Sequence, residues 1–94
     1  MSIETPVALH WQVYILLCSD NSLYTGITTD IARRFQQHVD GRGAKYFRGR
    51  QPLQVVYVEA GHSRSSASRR EAFIKGLKRE EKERLLLKQK SEAP

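Results

Sequence analysis

Residues Trp11 to His38 read WQVYILLCSDNSLYTGITTDIARRFQQH, a pattern of strand, turn, strand and helix. Gln12–Cys18 is rich in aliphatic, aromatic and β-branched residues and predicts a strand buried on both faces. Ser19, Asp20, Asn21 and Ser22 are turn formers, since Asn tolerates positive φ and Asp and Ser bond their own backbone. Leu23–Thr28 alternates well enough for a second strand, and so short a link makes the pair a hairpin. Directly opposed hairpin residues point to one face. If Cys18 pairs with Ser22, Tyr14 and Tyr24 share a face and Gly26 lies across from Tyr14. A two-residue turn at Asp20-Asn21 would put the tyrosines on opposite faces unless a bulge intervened. With no Cβ at Gly26, another group can approach the Tyr14 ring, although a simple bulge would also explain this glycine.

Working outward, Thr29 or Asp30 can cap the next helix. Over Ile31–Val39 an apolar stripe is expected from Ile31, Ala32, Phe35 and Val39. Arg34 and His38 are one turn apart, roughly 5–6 Å between Cβ atoms. Gly41 and Gly43 end the helix. In GRGAKYFRGR, Arg42, Lys45, Arg48 and Arg50 surround Tyr46 and Phe47, which reads as a basic loop with a short helical turn. Pro52 opens a third strand over Leu53–Ala60, and Tyr57 reads as core. Gly61–Ser66 turns into a helix over Ala67–Leu77, and Lys78–Lys90 continues it or restarts after a kink. Residues 1–10 read as a loose arm, 11–90 as one domain and 91–94 as a fraying end.

Ninety-four residues suffice for one small core. Sixteen Lys and Arg against ten Asp and Glu leave a net charge of +6. That surplus suits a polyanionic partner such as nucleic acid, or merely a basic soluble protein. Cys18 is the only cysteine, so no internal disulfide is possible, and it reads as a small buried hydrophobe. With His10, His38 and His62 scattered, no zinc site is expected. No apolar run approaches the roughly 20 residues that cross a bilayer. Glu4 and Pro6 interrupt any secretory leader, so the cytoplasm is the expected location.

The acids constrain the chemistry. Two-metal phosphodiesterases cluster several carboxylates. Here Asp20 is in a turn, Asp30 near a cap and Asp40 at a helix end. Glu80, Glu81 and Glu83 pair with neighbouring cations, and Glu59 can face either way. Glu71 stands apart beside Arg69 and Arg70. An enzyme acting on phosphates with this set would use one carboxylate and one metal ion. Phosphodiester cleavage then needs a base, a cation for the phosphorus centre and help for the leaving oxygen. A phenol, with a pKa of about 10, is a poor base alone, but nearby cations favour its phenolate. Arg34 suits a phosphate because its fork of donors matches two oxygens.

Four segments together resemble the GIY-YIG nuclease family. Gln12-Val13-Tyr14 stands at the family's G-I-Y and Tyr24-Thr25-Gly26 at its Y-I-G. Asp30–His38 is similar to its arginine-bearing helix, and Arg69–Lys75 to its helix with the metal-binding glutamate. The likeness covers roughly Gln12 to Lys82 and is greatest to small single-domain bacterial members. It implies an α/β fold of the α+β type, a three-stranded antiparallel sheet flanked by helices, and Mg²⁺- or Mn²⁺-dependent hydrolysis of DNA. It implies that Tyr14 is the base or orients water, and that Tyr24 supports Tyr14 or binds phosphate. Arg34 would stabilise the transition state, Glu71 would hold one metal ion, and His38 matches a supporting histidine of part of the family. Lys75, with Arg42, Lys45, Arg48 and Arg50, would contact the DNA backbone. The chain departs from the pattern at Gln12, in place of the first glycine, and has no clear counterpart of an asparagine after the glutamate. With no second DNA-binding domain expected, structure-directed cutting in repair or recombination is the implied activity. The alternative is a nucleic-acid-binding protein that keeps the fold and cuts little or not at all.

Overall fold

The turn residues act as their types predict. Asn21 takes φ 68°, Asn21 N–H donates to the Cys18 carbonyl and Cys18 N–H to the Ser22 carbonyl, each at 2.9 Å. This closes Cys18 on Ser22 and fixes the register of β1 (Trp11–Cys18) against β2 (Leu23–Thr28). Tyr14 lies opposite Gly26, and Leu16 opposite Tyr24. The computed structural model describes residues 8–92. Most of the expected arm over 1–10, and residues 93–94, fall outside that range.

β1 is the middle strand of a three-stranded antiparallel sheet ordered β2-β1-β3, with β3 spanning Pro52–His62. Being central, β1 is covered on both faces, as its unbroken apolar run predicts. Val13 and Ile15 point one way, into a cluster with Tyr57, Ala67 and Ile74. Tyr14, Leu16 and Cys18 point the other way, against Phe47, Tyr24, Ile31 and Phe35. The first cluster is roofed by α2 (Arg64–Lys75) and α3 (Arg79–Glu92). The second is roofed by α1 (Ile31–Val39) and a 3₁₀ turn at Lys45–Phe47. This is the α+β architecture expected. Cys18 is buried and free. Among the described residues no helix is long and apolar enough to cross a membrane.

The helices depart from the sequence reading in instructive ways. Asp30, not Thr29, caps α1 by accepting from Arg33 N–H at 3.1 Å. Gln12 reaches from β1 to accept the Ile31 N–H at 3.1 Å, so it satisfies a second donor at the helix start. The inward stripe of α1 is Ile31, Phe35 and His38, while Ala32 and Val39 are exposed. α2 begins at Arg64 rather than Ala67, because Ser63 and Ser66 form a reciprocal capping box. Gly76 ends it, and α3 is a separate helix starting at Arg79. β3 runs two residues past Ala60.

Gly26 has a packing reason rather than a bulge. A Cβ built there would stand 2.6 Å from Tyr14 Cζ and closer still to the hydroxyl. Tyr14 therefore lies across the β2 backbone. Gly26→Ala must displace a ring that is only 1% exposed. The expected cost is roughly 1–3 kcal/mol of unfolding free energy in urea, as for other overpacked cores. A change within about 0.5 kcal/mol, the range of an ordinary surface substitution, would refute this packing account.

Candidate active site

Three elements bring the predicted aromatic and basic residues together. β1 and β2 put Tyr14 and Tyr24 on one face, with ring centroids 6.2 Å apart. α1 crosses that face and turns Arg34 and His38 toward it. The Tyr14 hydroxyl lies 2.9 Å from His38 Nε2, and both residues are 1% exposed. The His38 ring meets Tyr24 edge-on at 5.4 Å and packs on Phe47 at 4.5 Å. Gly43 does not end α1. It leaves room for His38, since a Cβ there would collide with the ring, 2.7 Å from Cε1.

The hydrogen bonds assign the His38 tautomer. Ala44 N–H, which can only donate, points at Nδ1 from 3.4 Å. Nδ1 therefore accepts, and the ring proton sits on Nε2, directed at the Tyr14 oxygen. His38 thus donates to Tyr14 and does not take its proton. Burial, reinforced by the Arg34 charge, pushes the His38 pKa down to about 4, so the ring is neutral at physiological pH.

Burial also pushes the Tyr14 phenol well above its ordinary range. Tyr24 and Glu71 add to this, while Arg34 opposes it. Tyr24 is raised as well, mainly by burial, with Lys75 and Arg34 pulling it down and Glu71 pushing it up. The charges of Arg34 and Glu71 are therefore both felt at both phenols. Tyr14 reaches over Gly26, and α2 brings Glu71 and Lys75 from the sheet's opposite face. Glu71 is mostly shielded and pairs with the more exposed Lys75 at 3.3 Å. Arg34 is held by Gln37, its Nη1 donating to Oε1 at 3.0 Å.

Among the described residues no three His, Cys, Asp or Glu side chains cluster tightly enough to form a protein-only metal cage. One hard carboxylate is still a sufficient protein ligand for a Mg²⁺-like ion, which keeps waters and takes substrate phosphate oxygens. Glu71, partly shielded, is a carboxylate that could fill that role, and here it pairs with Lys75.

The basic loop divides. Arg42 is paired with Asp40 at 3.0 Å, and both are exposed. Arg50 is tied inward, 2.9 Å from Asp20 and stacked over the Tyr46 ring at 4.0 Å. Lys45 and Arg48 are exposed and form no ion pair among the described residues. Tyr46 and Phe47 wall the site, Tyr46 tilted against Tyr24 at 5.0 Å and Phe47 edge-on to it at 4.9 Å, a role their sequence did not announce. Their position between two glycine-flanked basic steps, following a helix with an inward histidine, was the available signal.

The His38 environment carries a stability signature. The folded pKa of about 4 lies below the ordinary 6.5, so the unfolded chain takes up a proton that the folded chain refuses. Stability falls as pH drops from about 6.5 toward 4. The share from His38 between pH 6.5 and 5 is on the order of 1–2 kcal/mol. Urea unfolding of the wild type and His38→Gln over that range should show the wild type losing more stability by this amount. Equal losses would contradict the buried neutral ring.

A family model for the GIY-YIG catalytic domain matches residues 10–84. A UPF0213 protein of Haloquadratum walsbyi is 55% identical over 73 residues, covering 78% of this chain and 82% of that protein. The UPF0213 protein YhbQ of Salmonella arizonae is 46% identical over 81 residues, covering 86% and 81%. The solution NMR structure of a UPF0213 protein from Bacillus halodurans superposes with a TM-score of 0.52 at 49% identity, covering 81% of each chain. That of a protein from E. faecalis superposes at 0.61 with 39% identity, covering 93% and 92%. The match spans β1 into the first half of α3 and includes Tyr14, Tyr24, Arg34, His38 and Glu71, so this chain belongs to the GIY-YIG catalytic domain family.

Proposed function

We propose that this protein is a divalent-metal-dependent endonuclease of the cytoplasm. It hydrolyses DNA phosphodiester bonds, directed by DNA structure rather than sequence, in repair or recombination. The observation that carries this reading is the buried Tyr14–His38 pair, whose phenol feels both the Arg34 guanidinium and the Glu71 carboxylate.

In this reading Arg34 grips two non-bridging oxygens of the scissile phosphate with its planar fork. Tyr14 accepts a hydrogen bond from the attacking water and takes its proton when ionised. His38 Nε2–H donates to the same phenol oxygen and so favours its phenolate, while Tyr24 steadies the ring and contacts the phosphate. Water oxygen bonds to phosphorus as the bond to the leaving sugar oxygen breaks, and Lys75, freed from Glu71, is placed to stabilise that oxygen. A Mg²⁺ or Mn²⁺ ion held by Glu71 would neutralise charge on the phosphate and lower the pKa of nearby acids. Lys45 and Arg48, exposed and without an ion pair among the described residues, would track the adjoining backbone, with Arg42 and Arg50 contributing less because each is paired.

The second reading, a DNA-binding protein with little cleavage, draws on the Glu71–Lys75 ion pair and the raised Tyr14 phenol. Labelled single-stranded, duplex and branched DNA, incubated with and without Mg²⁺ or Mn²⁺, separates the two. For a nuclease, Tyr14→Phe and Glu71→Ala should each cut the rate by about 100-fold or more while binding persists. Metal-dependent cleavage that survives both changes would sink this site assignment, and a wild type that binds but never cuts selects the binder. In either case affinity should fall steeply with salt, and Lys45→Ala and Arg48→Ala should each lower the salt slope by roughly one. An unchanged slope would remove these residues from the DNA path.

A further inference from the structure

On β3, outside the tyrosine cluster, one carboxylate gathers an unusual number of donors. Glu59 on β3 accepts from the Tyr57 hydroxyl at 2.6 Å. It contacts His62 Nε2 at 2.6 Å and takes Arg70 Nε across both oxygens at 3.1 and 3.2 Å. The same His62 bonds Ser66 Oγ through Nδ1 at 2.8 Å, and Ser66 belongs to the capping box that starts α2. Two points of α2, its first turn and Arg70, are therefore tied to one strand residue.

Arg70 immediately precedes Glu71. Consecutive helix residues point about 100° apart, as follows from 3.6 residues per turn. Ala67 and Ile74, fully buried, seat the helix on the sheet but are apolar and grip it without direction. The Glu59 contacts supply direction. If α2 turned about its axis, Arg70 would leave Glu59 and Glu71 would swing away from Tyr14 and Tyr24.

We infer that Glu59 is a positioning residue: through Arg70 and the His62–Ser66 link it sets the rotation of α2 that aims Glu71 at the two phenols. This role rests on Glu71 being the metal ligand proposed above. It explains why a partly buried carboxylate with a full complement of donors lies outside the site. It gives Tyr57, Glu59, His62 and Arg70 a common purpose that the chemistry at Tyr14 does not require.

The test uses the full chain in two steps. Residual dipolar couplings of the α2 amides, recorded without metal, report the orientation of the helix against β1. In Glu59→Ala, and independently in Arg70→Met, α2 should reorient by at least about 10°, the tolerance of a preorganised site. Mn²⁺ is then titrated and the broadening of the Tyr24 and Glu71 amides followed. The midpoint should rise at least about tenfold in both variants, as for loss of other groups that orient metal ligands. Folding is checked by retention of the Tyr14 and His38 signals, and Arg70→Met serves if Glu59→Ala does not fold. Unchanged α2 couplings in a folded variant overturn the inference, as does an unchanged Mn²⁺ midpoint. Reoriented couplings in a protein whose wild type shows no Mn²⁺ broadening at Glu71 uphold the clamp and overturn only the metal assignment.

Discussion

The hydrogen bond between Tyr14 and His38 is the contact on which the rest of this structure turns. It joins the central strand to the first helix in a place where neither partner meets water. A buried phenol and a buried imidazole would each be costly without a partner. The phenol oxygen takes the imidazole N–H, and the Ala44 N–H satisfies the remaining ring nitrogen. The surrounding sequence is shaped to permit this: Gly26 makes room for the phenol and Gly43 for the imidazole. Phe47 closes over the ring, Tyr46 packs on Phe47, and Arg50 lies over Tyr46.

That arrangement also sets the direction of the hydrogen bond between the two rings. An imidazole whose Nδ1 is occupied by a backbone donor has its proton on Nε2 and can only donate to the phenol. A histidine next to a tyrosine is easily read as a base, and here it cannot be one without breaking the Ala44 contact. The cost of ionising Tyr14 is instead offset by Arg34 and by any cation held at Glu71. The site is poised by charges arriving from two helices on opposite faces of one small sheet, and the angle of each helix matters as much as the identity of its residues.

Much of this was legible in the chain. The turn residues at 19–22 allowed either a Cys18–Ser22 closure or a two-residue turn at Asp20-Asn21; the fold takes the first, which puts both tyrosines on one face with Gly26 opposite Tyr14. Arg34 and His38 followed from helical spacing. Other features were hidden for physical reasons. Val39 looked like a core residue, but the buried place on α1 went to His38, whose polar ring had a partner waiting on β1. Glu59 could not be oriented because β1 and β3 pair with register shifts between Trp11 and Val13, Ile15 and Leu16, and Leu17 and Cys18. Each shift breaks the alternation that assigns faces. Arg50 resembled its basic neighbours in sequence, and only the fold shows Asp20 beside it. The capping box at Ser63 and Ser66 was readable but lay within a run that looked like a turn.

The most direct test is the protonation of the two His38 ring nitrogens, read from their ¹⁵N shifts in a long-range ¹H–¹⁵N correlation spectrum at pH 7. A protonated Nε2 and a bare Nδ1, both unchanged down to pH 5, are the predicted result. A proton on Nδ1, or a ring that titrates near its ordinary 6.5, would contradict the donor role of His38 and with it this description of the site.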